Sequence, residues 1–175
     1  MRGGSRVVSS PLVAGAIPIR ESLVRTENQI KQALFCHHCN ERLSLWLAPI
    51  ASKADMLARC NPKSCGGESK HCDPLVPTGF VLILQNDDMS SELETWRMFD
   101  PAPKSDSYLN VDDLLEPSRM IDDFSRLNGC CNISGTDGPT HVCSCNAEIG
   151  TLNSDCWTWF AFLRDVQNTY WKYDD

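Results

Sequence analysis

Between Asn128 and Trp157 the chain reads NGCCNISGTDGPTHVCSCNAEIGTLNSDCW. This stretch most restricts what the protein can fold into. It carries Cys130, Cys131, Cys143, Cys145 and Cys156, three glycines before Gly150, and no long apolar run. A segment with so little to bury cannot offset the entropy of ordering its backbone through a hydrophobic core alone. Metal or disulfides must hold it. At 175 residues the whole chain is large enough to bury a core of its own. The ten cysteines therefore need a reason other than small size.

The remaining cysteines lie well upstream, at 36, 39, 60, 65 and 72, and each group holds enough sulfur to close a tetrahedral site. Cys36-His37-His38-Cys39-Asn40 follows an apolar pair and has the spacing of a zinc knuckle, in which backbone amides point at two thiolates. Cys143-Ser144-Cys145 reads as a tightened knuckle. Grouping by sequence gives two separate sites. Cys36, Cys39, Cys60 and Cys65 form the first, with Cys72 or His71 as substitutes. Cys131, Cys143, Cys145 and Cys156 form the second, with Cys130 spare because vicinal thiolates seldom serve one small ion. A second arrangement pairs Cys36/Cys39 with Cys143/Cys145 as two knuckles of one zinc ribbon assembled across the chain. The expected cofactor is one or two structural zinc ions.

From Asn128 to Trp157 the chain also resembles a group of bacterial zinc-knuckle-like proteins of uncharacterised role. NGCC, the GTDGP turn, CSC, EIGT and DCW carry the likeness, over about a sixth of the chain. The resemblance implies a metal-bound segment and no particular activity.

Other readings compete. A secreted protein with up to five disulfides suits the even cysteine count. The N-terminus, with Arg2 and Arg6 before a stretch broken by Ser9, Ser10, Pro11, Gly15 and Pro18, reads instead as a flexible or extended arm over residues 1–20. That favours a cytoplasmic protein with reduced thiols. An enzyme would need an activated thiol, such as Cys130 with His141 and Asp137 or Asp155, but Cys130 would then sit at a helix C-terminus, where the dipole opposes a thiolate. Asp137-Gly138-Pro139 reads simply as a turn. His37 and His38 read as solvent-facing. For nucleic acid, Trp46, Trp157, Trp159 and Phe160 offer rings, but the net charge of -7 argues against a cationic groove.

Acidic residues concentrate between 81 and 127, and Asp87, Asp88, Glu92, Glu94, Asp112 and Asp113 form a candidate face for a basic partner or a solvated loop. No apolar run reaches membrane-spanning length.

Periodicity predicts an α+β fold over residues 21–175: a small mixed or antiparallel sheet, few helices, and loops tethered by the cysteine clusters. Strands are expected near 43–48, where Leu43, Leu45 and Leu47 alternate, and near 80–85 and 157–163. Ala33 to Phe35 is either the end of a helix from residue 22 or a strand. Ser52 should cap a helix through Arg59. A helical turn is expected at 111–115, and the main helix at 117–127, ended by Gly129 in a left-handed cap. The aromatic tail from Thr169 should pack back. The expected role is binding or assembly with another protein.

Overall fold

The architecture was read from a computed structural model that describes residues 30–61, 73–84, 87–95 and 105–174. The expected N-terminal arm, and Cys65, His71 and Cys72, lie outside these residues.

Among the described residues, two sheets and two helices make a mixed α+β fold. β1 (Gln32–Cys36) settles the ambiguity at Ala33 to Phe35 in favour of a strand. β2 (Ala48–Ile50) leads into α1 (Lys53–Arg59) and then β3 (Phe80–Ile83), which lies parallel to β2. Ser52 caps α1, its hydroxyl accepting the Asp55 amide at 3.2 Å. α2 (Asp87–Thr95) precedes β4 (Ser107–Leu109). β5 (Ser118–Met120), β6 (His141–Cys143), β7 (Glu148–Asn153) and β8 (Ala161–Arg164) complete a seven-stranded sheet of order β2-β3-β4-β8-β7-β6-β5. The tail returns as β9 (Thr169–Tyr173), antiparallel to β1 with Phe35 opposite Tyr170 and Cys36 opposite Thr169.

Alternation along the central strands feeds two cores, because successive side chains leave opposite faces. Leu82, Tyr108, Ala161 and Leu163 pack with Met56 of α1 and with Met89 and Leu93 of α2. Their neighbours Val81, Leu109 and Phe162 pack with Leu34 and Cys36 of β1, and with Leu43, Leu47, Cys143 and Ile149. The large sheet thus lies between a helical layer and the β1–β9 ribbon. Cys36 and Cys143 both belong to the second core.

Several expectations are corrected. No helix runs from 117 to 127. Arg119 and Met120 instead pair with Val142 and His141 at the sheet edge, and the chain then makes only a short 3-10 turn at Phe124–Arg126. Asp123 caps that turn, while Met120 and Phe124 face solvent and Ile121 and Leu127 are half-buried, so the spacing that suggested an apolar helical face makes no continuous buried face. Gly129 is not among the glycines with positive φ, which are Gly79, Gly135 and Gly138. It is needed for space: a Cβ there would collide with the Asn132 carbonyl and press on the Asp155 carboxylate. At 43–48 only isolated bridges form before β2, and Leu45 is exposed while Leu43 and Leu47 are buried. The 157–163 strand begins only at Ala161. Before it, Trp157 is exposed, and Trp159 packs edge-on against Tyr108.

The acidic segment is structured as well. Lys53 reaches Asp88 and Glu92 on α2, at 3.5 and 3.1 Å. Asp113, in the 3-10 turn at Val111–Asp113, is buried and accepts the Gly79 amide at 2.9 Å. No helix among the described residues is long and apolar enough to cross a membrane.

Candidate metal centre

Cys36 is the last residue of β1 and Cys143 the last of β6. After each, the chain reverses in a tight turn holding the second cysteine, Cys39 or Cys145, followed at once by an asparagine. Asn40 has φ 60° and Asn146 φ 67°, the described non-glycine residues with positive φ. Asparagine tolerates this left-handed conformation better than most residues. The hydrogen bonds repeat too. The Asn40 amide donates to the Cys36 carbonyl at 3.0 Å, and the Asn146 amide to that of Cys143 at 2.8 Å. The Cys36 amide donates to Glu41 at 2.9 Å, and the Cys143 amide to Ala147 at 2.8 Å. Each turn is thus a closed loop with fixed sulfur directions. Burial holds the Cys36 pKa above its ordinary value although the backbone amides of Cys39 and His38 favour its thiolate, and the Cys145 amide favours the Cys143 thiolate.

The two knuckles face each other. Cys36 Sγ lies 3.7 Å from Cys145 Sγ, and Cys39 Sγ 3.4 Å from Cys143 Sγ. All four sulfurs lie within 4.8 Å of one another. A tetrahedral ion with 2.3 Å metal–sulfur bonds requires sulfurs about 3.8 Å apart, whereas a disulfide requires about 2.0 Å. The spacing is that of ligands around one ion. Cys36 and Cys143 are fully buried and Cys39 and Cys145 exposed, so the centre sits at the core boundary.

Four such thiols cannot all ionise unaided. Burial opposes the Cys143 thiolate, but the Cys145 amide and the Cys39, Ser144 and Cys145 side chains overcome it and bring its pKa down to about 7. The Glu41 amide favours the Cys39 thiolate, yet burial and the sulfurs of Cys143, Cys145 and Cys36 hold its pKa up at about 12. A first negative charge suppresses the next. A bound cation would supply the positive charge that lets all four ionise.

A second sulfur group comprises Cys130, Cys131 and Cys156, again within 4.8 Å of one another. Asp155 holds it from below. Its carboxylate accepts the amides of Cys130 and Cys131 at 2.8 Å each and that of Cys156 at 2.7 Å. Burial would raise the Asp155 pKa, and these donors hold it below the ordinary value.

The structure therefore redistributes the predicted ligands. It joins Cys36 and Cys39 to Cys143 and Cys145, the cross-chain pairing. Cys131 and Cys156 leave that set and gather with Cys130, which sequence spacing treats as spare but whose sulfur, although vicinal to that of Cys131, lies within 4.8 Å of both. Cys60 joins neither group. It is buried among Ile50, Met56 and Leu75, and that burial pushes its thiol up to about 12. His37 stacks on Tyr170 with ring centroids 4.8 Å apart, and His38 Nε2 bonds Asn168 Oδ1 at 3.0 Å; both are exposed and outside the sulfur groups. His141 is buried, with Nδ1 3.0 Å from Thr140 Oγ1 and its ring edge-on to Phe162. Burial lowers its pKa to about 4, and it belongs to neither group. Asp155 does meet Cys130, though as a backbone clamp.

Both knuckles end in Cys-Asn, but Cys60-Asn61 and Cys131-Asn132 carry the same dipeptide, so it does not mark the pairing. Two cysteine-rich groups can thus each bind a metal ion. No family model matches the chain, and searches of curated proteins and of solved structures find no match.

Proposed function

We propose that this protein is a zinc-ribbon-like binding or assembly module, in which Cys36, Cys39, Cys143 and Cys145 hold one structural zinc ion. The observation that carries this reading is the meeting of two knuckles of matching backbone geometry with sulfurs at ligand spacing. Zinc is the expected ion because four thiolates in a closed tetrahedron suit a cation with no redox chemistry and no need of an open position. The ion ties the β1–β9 ribbon to the β6–β7 turn of the large sheet. Thiolate ligands require reducing surroundings, which fits a cytoplasmic protein.

A fastened ribbon also steadies the aromatic row beside it. Trp46, Phe35, Tyr170 and His37 follow one another with ring centroids 6.5, 5.7 and 4.8 Å apart. Arg42 lies over Trp46 and Lys172 over Phe35. Aromatic and arginine side chains on a fixed frame are the usual anchors of protein interfaces. The partner in this reading is another protein.

The test is metal analysis of reduced, untagged protein by native mass spectrometry. Zinc should be lost from Cys36→Ser and Cys145→Ser and retained by Cys60→Ser. Undiminished zinc in the two ligand variants would overturn the assignment.

A further inference from the structure

The second sulfur group differs from the first in ways that bear on its ligand. Its thiols are more open: Cys130 and Cys131 are exposed and Cys156 half-buried, where the ribbon centre has two fully buried sulfurs. Among the described residues it comprises three sulfurs, with no histidine and no fourth cysteine. Its nearest carboxylate is committed, since Asp155 takes three backbone amides on its two oxygens. The loop that presents the thiols is fixed without an ion. The Ser134 amide donates to the Asn128 carbonyl at 2.9 Å, and the Ser154 amide to that of Ile133 at 2.8 Å. Gly129 is compact enough to let Asn132 and Asp155 close against it. Two strand-flanking loops, before β6 and after β7, are thereby locked together with three sulfurs converging on one point.

We propose that Cys130, Cys131 and Cys156 form a second, solvent-open site for a soft cation satisfied by three sulfur ligands, of the monovalent copper class. Soft thiolates select soft ions. Zinc in a closed structural site takes four protein ligands, whereas monovalent copper is satisfied by a trigonal set of three. None of these three sulfurs is buried, unlike Cys36 and Cys143 of the ribbon centre, so the ion can enter and leave, which suits an exchangeable ion better than a structural one. Loading forms copper–sulfur bonds and releases the thiol protons to solvent. The copper stays monovalent, so no electron is transferred. The site shares no ligand with the ribbon centre, and the inference stands whether or not the ribbon holds zinc.

The experiment is an anaerobic titration of the full-length reduced protein with monovalent copper, held in a colorimetric copper chelator as competitor, with zinc and copper both counted by native mass spectrometry. One equivalent of copper should be taken up before any zinc held by the protein is displaced. Cys131→Ser and Cys156→Ser should each lose that equivalent while their zinc content and circular dichroism match wild type, the latter showing that they fold. Asp155→Asn should keep all three sulfurs but weaken copper binding about 10–100-fold, as loss of an outer-shell support does. Unchanged copper uptake in Cys131→Ser and Cys156→Ser would overturn the proposal. So would a second zinc ion, held in four-sulfur coordination and lost with these variants. Failure of the zinc assignment alone would show as loss of zinc from no ribbon variant, with the copper results unchanged.

Discussion

Stripping the metal from the ribbon centre should lower the melting temperature by about 10–20 °C. The contacts that set this figure are Cys36–Cys145 and Cys39–Cys143, which join residues 109 and 104 positions apart in sequence. An ion held by both knuckles acts on the unfolded chain as a cross-link of that span. Closing a loop of about 100 residues removes unfolded-chain entropy worth roughly 4.7 kcal/mol at 25 °C. For a domain of this length, each kcal/mol shifts the melting temperature by about 2–4 °C. Exposed Cys39 and Cys145 give a chelator access, so removal should not require unfolding first. The assay is thermal unfolding followed by circular dichroism under reducing conditions, before and after chelation, with metal content measured on the same samples. Complete metal loss with a shift below about 3 °C would refute the reasoning, because the ion would then be fastening nothing that the core does not already hold.

Three further outcomes follow from particular residues. Asn146→Gly should retain the metal, since glycine accepts φ 67°, whereas Asn146→Val should lose about 1–2 kcal/mol in urea unfolding; equal stability of the two would remove the left-handed turn from the account. Gly150→Ala should cost about 1–3 kcal/mol by overpacking, because its Cβ would meet the Leu163 carbonyl and the Phe162 ring, and an unchanged urea midpoint would contradict that geometry. Burial would raise the Asp106 pKa, but Arg164 and Ser107 hold it below its ordinary value. A depressed carboxylate contributes stability above its unfolded pKa, and that contribution fades as pH falls through the folded value. Acid titration below about pH 4 should therefore destabilise wild type more than Asp106→Asn, and parallel curves would sink the assignment.

Local chemistry was legible in the sequence, and long-range pairing was not. Ser52 announced α1 because an N-cap acts within three residues. Phe80 to Ile83, the turn after Asn110 and the returning tail followed from short patterns in the same way. The helix expected at 117–127 failed because the edge of β6 offered Arg119 and Met120 a ladder that periodicity cannot foresee. Trp157 reads as core by composition, yet a turn at Asp155 leaves it outside. The neighbours of each sulfur are set by the same long-range pairing. Cys60 is close to Cys39 in sequence, but α1 carries it into the other core, on the far side of the large sheet. Cys143 lies over a hundred residues from Cys39 and meets it through β6. Cys-Asn recurs at 60–61 and 131–132 without a left-handed asparagine, so only the fold shows that the turns at Asn40 and Asn146 reverse the chain alike and face to face.

The central claim is that one ion joins the two knuckles. Cobalt(II) titration of the reduced protein tests it most directly, because a tetrahedral tetrathiolate gives cobalt intense visible and sulfur-to-metal charge-transfer absorption that octahedral oxygen ligation lacks. The account predicts a four-sulfur tetrahedral spectrum at the first equivalent, lost in both Cys39→Ser and Cys143→Ser and retained in Cys60→Ser. A tetrahedral spectrum that survives in either ligand variant, or no tetrahedral spectrum in wild type, would contradict it.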